Sequence, residues 1–327
     1  MENTDIVLMK SVTVNDNAAN GGRMSNNQVT SNVLNNMFPN VTQSERTNGT
    51  TRYRKFFFRN KNSSLETATN SRIWVSQRST GEDYFRIKAG TNTDVQSDAT
   101  GYSSWLGTGY LKSVLAADAT TIEAIFDANN GVYNGSLLRV TDSSGGEEFL
   151  TVKSSGGVSW IGNTATIIVT TSARATYPAS QNCLVSAVID LGNLVASSDS
   201  WDETSVSGTY DESTYPVVVN NVGTVEDSWT ITFTSASAFL CSGSSIGSVG
   251  VGSISADFNP VNPNVGTGDY YFQVRLAGWG GTWAIGDTVT FDTHHGAAGA
   301  WVKEVVPAGI ASKTNNQLKI KLYTEGA

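Results

Sequence analysis

Residues 51–62 read TRYRKFFFRNKN, and residues 72–91 read RIWVSQRSTGEDYFRIKAGT. Aromatic and β-branched residues alternate with charged ones throughout residues 51–91, which we call the basic stretch. Alternation at a period of two is typical of strands that bury one face, and polar connections separate the runs. The basic stretch therefore predicts a meander of three antiparallel strands.

The basic stretch has a charge opposite to that of the whole chain. It holds nine of the 21 basic residues and three acidic ones, a local charge of +6, whereas the 327-residue chain carries −8. The nine are Arg52, Arg54, Lys55, Arg59, Lys61, Arg72, Arg78, Arg86 and Lys88. Two interpretations are open: a contact surface, or a core sheet with a polar edge rich in Lys and Arg.

The composition predicts an all-β protein. Only 15% of the residues are charged, six are Pro, and Gly, Ser, Thr, Asn and Val are abundant. This mixture favours short strands joined by turns, and the length allows two or three domains. We expect several small antiparallel β-sandwich or barrel modules.

Turn-rich segments divide the chain into four regions. Residues 1–50 are expected to form an extended N-terminal arm with a first strand at 6–14 and a short helix or clamp at 29–38. Residues 51–108 form the basic aromatic sheet, 109–190 a small inserted β-module, and 191–327 an acidic C-terminal β-domain. An alternative is one sandwich made from 51–108 and 191–327. The Gly/Ser-rich segment 242–255 predicts a second arm.

Cellular location is indicated by the cysteines and by the apolar runs. Cys183 and Cys241 lie in apolar surroundings without the spacing of a metal knuckle, which predicts two buried free thiols in a reducing cytoplasm. The opening residues are too polar for a signal peptide, and no apolar run approaches the ~20 residues of a membrane helix. We expect no membrane partner.

Charge in the second half of the chain complements the basic stretch. Between Arg174 and Arg275 there are ten acidic residues and no Lys or Arg. Opposite charges on neighbouring copies would set the register of an assembly. We expect no nucleic acid as a partner, because the overall sign is wrong and the basic patch is one sheet and not a groove-sized motif. The interface candidates are Arg52, Arg54, Lys55, Arg59, Arg72, Trp74, Arg86, Asp202, Glu203, Asp211 and Glu212.

Catalytic and cofactor motifs do not emerge from the sequence. His294 and His295 are adjacent, so strand geometry would point them to opposite faces and away from one metal. Phosphate-binding glycine loops and a nucleophile elbow are absent from the sequence. We expect no enzyme activity, no metal and no cofactor. Acid pairs beside aromatic residues in 201–229 leave glycan binding open as an alternative.

Three parts of the chain resemble structural proteins of tailed bacteriophages. The opening carries FPNV (38–41), RYRKFFF (52–58) and GEDY (81–84), and the ending carries GDT (286–288) and VPAG (306–309). The middle carries ADATTIEA, NGSLLRV and EEFLTV, which are similar to a small β-unit of phage tail and virion proteins. The resemblance brings no catalytic residues with it.

This resemblance implies a role in the virus particle. It implies a virion component, made in the cytoplasm of the host bacterium, that forms a symmetric homo-oligomer at the neck, collar or tail. Its partners would be copies of itself and other virion proteins such as connector, tail or baseplate subunits. The alternatives are a receptor- or glycan-binding tail or baseplate module and a capsid-surface decoration protein.

Overall fold

The computed structural model describes residues 2, 4–266, 268–314 and 316–326. The prediction of an all-β protein with several antiparallel sheets is confirmed, since 49% of the residues lie in strands and 4% in helices. The strands are β1 (Ile6–Thr13), β2 (Gly21–Gln28), β3 (Thr50–Asn60), β4 (Ala68–Gln77), β5 (Tyr84–Ala89), β6 (Thr108–Leu111), β7 (Thr121–Ile125), β8 (Leu137–Thr141), β9 (Glu147–Thr151), β10 (Val158–Ile161), β11 (Thr164–Ile168), β12 (Ser180–Leu194), β13 (Ser197–Thr204), β14 (Ser207–Tyr210), β15 (Asp227–Phe233), β16 (Ala238–Gly243), β17 (Gly247–Ser253), β18 (Trp279–Thr282), β19 (Thr288–His294), β20 (Ala297–Val306) and β21 (Lys319–Gly326). Two short helices, α1 (Gln43–Asn48) and α2 (Gln96–Thr100), and a 3-10 turn (Leu276–Gly278) complete the elements.

The basic stretch builds the centre of a two-layer sandwich, which we call the base sandwich. One layer has the strand order β2-β1-β3-β20-β5, and the other is formed by the C-terminal end of β12 with β4 and β21. Phe56 and Phe58 of β3 pack against Ile73 and Val75 of β4 between the layers. The three predicted strands of the basic stretch are present, but they do not form a meander, because β3 and β5 lie in one layer and β4 in the other.

Two further modules are inserted into this sandwich. The middle module (residues 106–188) contains β6 to β11 and the first part of β12 around its own core, which includes Ile122, Leu138 and Val185. The C-terminal module (residues 196–295) contains β13 to β19, with the sheet order β13-β19-β15-β16-β17 and the small pair β14-β18. After the second insertion, β20 returns to the base sandwich and pairs with β3 on one side and β5 on the other.

The predicted regions and the observed modules have different boundaries. Region 191–327 contributes to two modules, since β20 and β21 belong to the base sandwich. Region 1–50 is not an arm along its whole length, because β1 and β2 form a hairpin on the edge of β3. Met1, Asn3, Thr267, Asn315 and Ala327, which these two regions include, lie outside the described residues.

Two smaller expectations also differ from the structure. Residues 29–38 form turns instead of a helix, because Asn32 and Asn35 adopt left-handed backbone conformations with φ of 61° and 57°. The Gly/Ser-rich segment 242–255 is not a free arm, since β16 and β17 pair as an antiparallel hairpin at the edge of the C-terminal module.

Cys183 and Cys241 are buried free thiols, as predicted.

Candidate assembly surface

The first two arginines of the basic stretch are buried in the base sandwich. Arg52 donates from Nε and Nη2 to Oε2 of Glu304 at 2.8 and 2.6 Å. Arg54 donates to Oδ1 of Asp16 at 2.6 Å, and the ring of Phe38 lies 5.6 and 5.2 Å from the two guanidinium carbons. Burial raises the pKa of Glu304 to about 7, against the opposing effect of Arg52. Both arginines therefore have their partners inside the chain.

Lys55 lies at the centre of a buried hydrogen-bond network. Its Nζ is 2.6 Å from Oδ1 of Asp94 and donates to the backbone oxygen of Gly22 at 2.7 Å. Oδ2 of Asp94 accepts from Nε1 of Trp301 at 2.7 Å and from the hydroxyl of Tyr102 at 2.5 Å. Burial favours a higher pKa for Asp94, but the hydrogen bonds from Lys55, Tyr102 and Trp301 outweigh it and lower that pKa. This network fixes the 91–105 connection against β3 and β20.

Arg59 joins the base sandwich to the C-terminal module. Its Nη2 donates to the backbone oxygen of Val222 at 2.5 Å and lies 3.4 Å from that of Asn221. Oδ1 of Asn221 accepts from the backbone nitrogen of Ala196 at 2.7 Å, where the chain enters the module. Burial lowers the pKa of the guanidinium. The arginine is thus part of an internal junction.

Arg86 is buried where β5 meets the middle module. Its Nη1 is 3.7 Å from Oδ2 of Asp127, and its Nη2 lies 3.3 Å from Oδ1 of Asn130. The ring of Tyr84 lies 4.8 Å from its guanidinium carbon. A Cβ at Gly107 would overlap the guanidinium, so a larger residue there would have to displace Arg86. The arginine fills the gap between these two modules.

These placements correct the interpretation of the basic stretch as a contact surface. Arg52, Arg54, Lys55, Arg59 and Arg86 are each at most 5% exposed. The reason is that β3 lies between β1 and β20 in its sheet and is covered on both faces, whereas the alternating pattern implied one free face. These five side chains make their contacts inside the chain and are not part of the assembly surface.

Arg72 and Trp74 belong to a cluster at the seam between the base sandwich and the middle module. The ring of Phe149 lies 5.1 Å from the guanidinium carbon of Arg72 and 4.4 Å from that of Arg139. Trp74 meets the same ring edge-on with centroids 6.0 Å apart, and Tyr323 does so at 5.7 Å. Trp74 is buried and Tyr323 is exposed, so most of this cluster packs the two modules together.

The four acidic candidates lie on the C-terminal module. Asp202 is exposed on β13, and Glu203 accepts from Nε1 of Trp201 at 2.9 Å. Asp211 caps the turn after β14 by accepting from the hydroxyl of Ser213 at 2.8 Å, which lowers the pKa of Asp211. Glu212 is half-buried in the same turn. Asp202 and Asp211 remain available at the surface.

The aromatic residues of 201–229 do not form an exposed sugar platform. Trp229 and Tyr210 are buried in the core of the C-terminal module, and Trp201 stacks on Phe291 with centroids 5.4 Å apart. The alternation of Trp229, Ile231 and Phe233 therefore produces a core face. The aromatic part of the glycan hypothesis is not supported by this placement.

The two histidines lie at the end of β19, next to the entry into β20. Nδ1 of His294 is 3.0 Å from Oε1 of Glu226, and Nε2 is 3.3 Å from Oδ1 of Asp199. Burial opposes the charged form, but the two carboxylates outweigh it and raise the pKa of His294. His295 is buried against the edge of Phe57, and burial lowers its pKa. Within the described residues, no group of three or more potential ligands is placed to hold a metal ion.

Shallow clefts in the described part of the chain include one beside β17 and one at the seam of the base sandwich and the middle module. One of about 490 Å³ lies beside β17 and is lined by Ile246, Val249, Val261 and Tyr271 among others. The other, of about 320 Å³, lies between Lys88 of the base sandwich and the 133–136 turn of the middle module. Neither cleft holds a pair of carboxylates or a histidine in its lining.

Exposed apolar residues were not among the candidates from the sequence. Leu34 is 82% exposed and Val33 55% exposed on the turns after β2, and Val251 is 73% exposed on β17. Val206 and Ile285 are exposed on two other loops. These loops are neighbours, because the hydroxyl of Ser205 and the backbone nitrogen of Ala284 both donate to Asp287. The signal in the sequence that could have identified them is the occurrence of apolar residues inside uncharged segments. Such residues are what a partner would cover.

Comparison with protein-family models, curated proteins and solved structures gives no significant match. Over the part of the chain that the structure describes, neither helix has the length and hydropathy of a membrane span.

Proposed function

We propose that this chain is a structural component of a tailed-bacteriophage virion, which assembles as a symmetric homo-oligomer at the neck, collar or tail. The virion assignment is supported by the resemblance of residues 23–60, 72–94 and 280–312 to phage structural proteins. The assembly role is supported by exposed apolar surface on a chain whose modules are otherwise well packed.

The observation that carries the proposal is the segment 29–42, which we call the N-terminal loop. It contains no charged residue, and Val33 and Leu34 point away from the core. Its far end is anchored, because Met37 and Phe38 pack against the base sandwich. An anchored, uncharged loop with apolar residues at its tip is suited to ordering on a neighbouring subunit.

The direct test is mass spectrometry of purified particles from the phage or prophage that encodes the chain. We expect the chain to co-purify with the particle in a fixed ratio to the other structural proteins. Its absence from infectious particles would overturn the virion assignment. Deletion of its gene should give incomplete particles.

Limited proteolysis tests the loop directly. Thermolysin cleaves next to apolar residues, so it should cut the free chain within 29–42 and leave the β1–β2 hairpin intact, because that hairpin is paired to β3. Trypsin is the matched control, since the N-terminal loop contains no Lys or Arg. In the assembled particle the thermolysin site should be protected. Equal cleavage in both states would show that the loop makes no contact with a neighbour.

A further inference from the structure

β17 leaves one edge of the C-terminal module open. It pairs with β16 on one side, and in the described part of the chain no strand pairs with its other side. The backbone N–H and C=O groups along that side are therefore available to a further strand. Such an edge is a template for pairing with another chain.

Unlike the other edges, β17 has no charged residue. Residues 242–256 contain neither charge nor proline, whereas β13 carries Asp202 and Glu203, and β21 carries Lys319 and Lys321. The other uncharged edge strands in the described residues are β10, β14 and β18, and each of them is four residues long, whereas β17 is seven residues long. Proteins protect edges with charges, prolines or short strands. β17 has none of these three protections.

A bulge interrupts β17 but leaves half of it regular. The register shifts between Ser248 and Gly250, and Gly250 has a φ of +123°. Beyond it, Val251, Gly252 and Ser253 continue in register with β16. The regular half is long enough for a short antiparallel ladder, and the bulge limits how far that ladder extends. The contact is therefore centred near Val251.

An apolar pair lies next to this edge. Val251 is the cross-strand partner of Leu240, and both side chains are exposed on the outer face of the sheet, 73% and 47% respectively. An antiparallel contact with a second β17 would place four apolar side chains in one row: Leu240 and Val251 of one copy, followed by Val251 and Leu240 of the other. Cross-strand apolar neighbours of this kind stabilise a sheet.

A second copy fits this edge because the edge is uncharged and self-complementary. Residues 175–274 carry ten acidic side chains and no Lys or Arg, so two copies of this half of the chain repel each other least where the surface is neutral. The nearest carboxylates in the sequence on either side of β17 are Asp227 and Asp257, and of these two Asp257 is the exposed one, six residues beyond Val251. Asp227 is fully buried and accepts from the backbone nitrogens of Ser245 and Ile246, and Asp257 accepts from the backbone nitrogen of Leu276.

We propose that β17 pairs antiparallel with β17 of a second copy across a two-fold axis, which joins two C-terminal modules into one continuous sheet. A two-fold contact needs a self-complementary surface, and a neutral strand with an adjacent apolar pair meets that requirement. The inference rests on the proposed assembly role and names one of its contacts.

Sedimentation velocity of the full chain and of Val251→Lys tests the contact. The wild-type chain should form dimers as its concentration rises, and the variant should dissociate about tenfold more readily or further, because two lysines then face each other. Val251→Thr should keep the dimer. Ile161→Lys is the matched control, since Ile161 is an exposed apolar residue on the edge strand β10 of the middle module. Circular dichroism checks that each variant is folded.

Hydrogen exchange provides a second measurement. Amides within residues 247–253 should exchange more slowly at high protein concentration in the wild type and not in Val251→Lys. Dimers that persist unchanged in Val251→Lys would overturn the β17 contact and leave the assembly role standing. A wild-type chain that stays monomeric at high concentration would overturn the contact too. The particle analysis described above decides the virion role separately.

Discussion

Replacing Arg52 with Met should lower the free energy of unfolding by about 3–5 kcal/mol, because it leaves the buried carboxylate of Glu304 without its cation. Both side chains of this pair are at most 5% exposed, so water cannot replace the lost partner. The measurement is chemical denaturation of wild type and variant at constant pH. The matched control is Asp190→Asn, which removes the exposed partner of Arg72 at 3.9 Å and leaves the contact of Arg72 with Phe149 in place, so that loss should stay below about 1 kcal/mol.

The effect of Arg52→Met should increase with pH. Burial raises the pKa of Glu304 to about 7, above its ordinary 4.5, so folding takes up a proton between these values. The contribution of Glu304 to stability is therefore fully present below pH 4.5 and lost as the pH rises through about 7. Without Arg52, ionisation of the buried Glu304 costs still more free energy than it does in the wild type. The variant should therefore have a lower free energy of unfolding at pH 8 than at pH 6.

Removal of both charges should recover much of the stability. A double variant, Arg52→Met with Glu304→Leu, replaces the ion pair by apolar groups of similar size. It should be more stable than Arg52→Met alone. If the double variant lost as much stability, relative to wild type, as the two single variants lose together, the two residues would not be coupled, and the buried pair would not be the cause.

Asp94→Asn should have an effect of similar size, about 3–5 kcal/mol, for a different reason. Asp94 accepts from three side chains on different parts of the chain: Lys55 and Trp301, which are buried, and Tyr102, which is half-buried. An amide has one acceptor oxygen, and its NH₂ group would face one of these donors. The side chain of Lys55 is completely buried, so its ammonium would lose the carboxylate contact at 2.6 Å.

The pH dependence of this variant has the opposite sign. The pKa of Asp94 is lowered from 3.8, so its contribution is present above pH 3.8 and lost as the pH falls through the lower, folded-state value. In acid the wild type should lose the stability that the ionised Asp94 contributes, whereas Asp94→Asn has no such contribution to lose. Urea denaturation at pH 7 and in acid measures both, with Asp190→Asn as the exposed control. An unchanged stability at pH 7 would show that the network is dispensable.

Much of the fold is predictable from local patterns. The first strand at 6–14, the strands of the basic stretch and the alternation of Trp229, Ile231 and Phe233 all follow from a period of two, and the structure has them. Alternation alone does not decide which of two adjacent leucines in β8 faces the core: Leu137 is half-buried, and Leu138 lies in the core of the middle module. A one-residue slip exchanges the two faces of a strand.

The partners of the basic residues are not predictable in the same way. Glu304 and Asp94 lie 252 and 39 residues from Arg52 and Lys55, and only the strand order brings them together. Alternation shows that a strand has two kinds of face, but not whether a second layer covers the polar one. For β3, α1 and the 91–105 connection provide that cover, and Glu45 of α1 approaches Arg52 within 3.8 Å.

The return of β20 has a consequence for biosynthesis. β3 is made early, yet its neighbour on one side is made only after both inserted modules have left the ribosome. Each inserted module has a core of its own and can fold as soon as it is synthesised. The base sandwich cannot be completed until β20 and β21 have been synthesised, so Phe56, Phe57 and Phe58 of β3 lack part of their final cover during most of translation. β3 is among the first strands to be synthesised and among the last to gain all its neighbours. A chaperone therefore has the longest time to bind at β3.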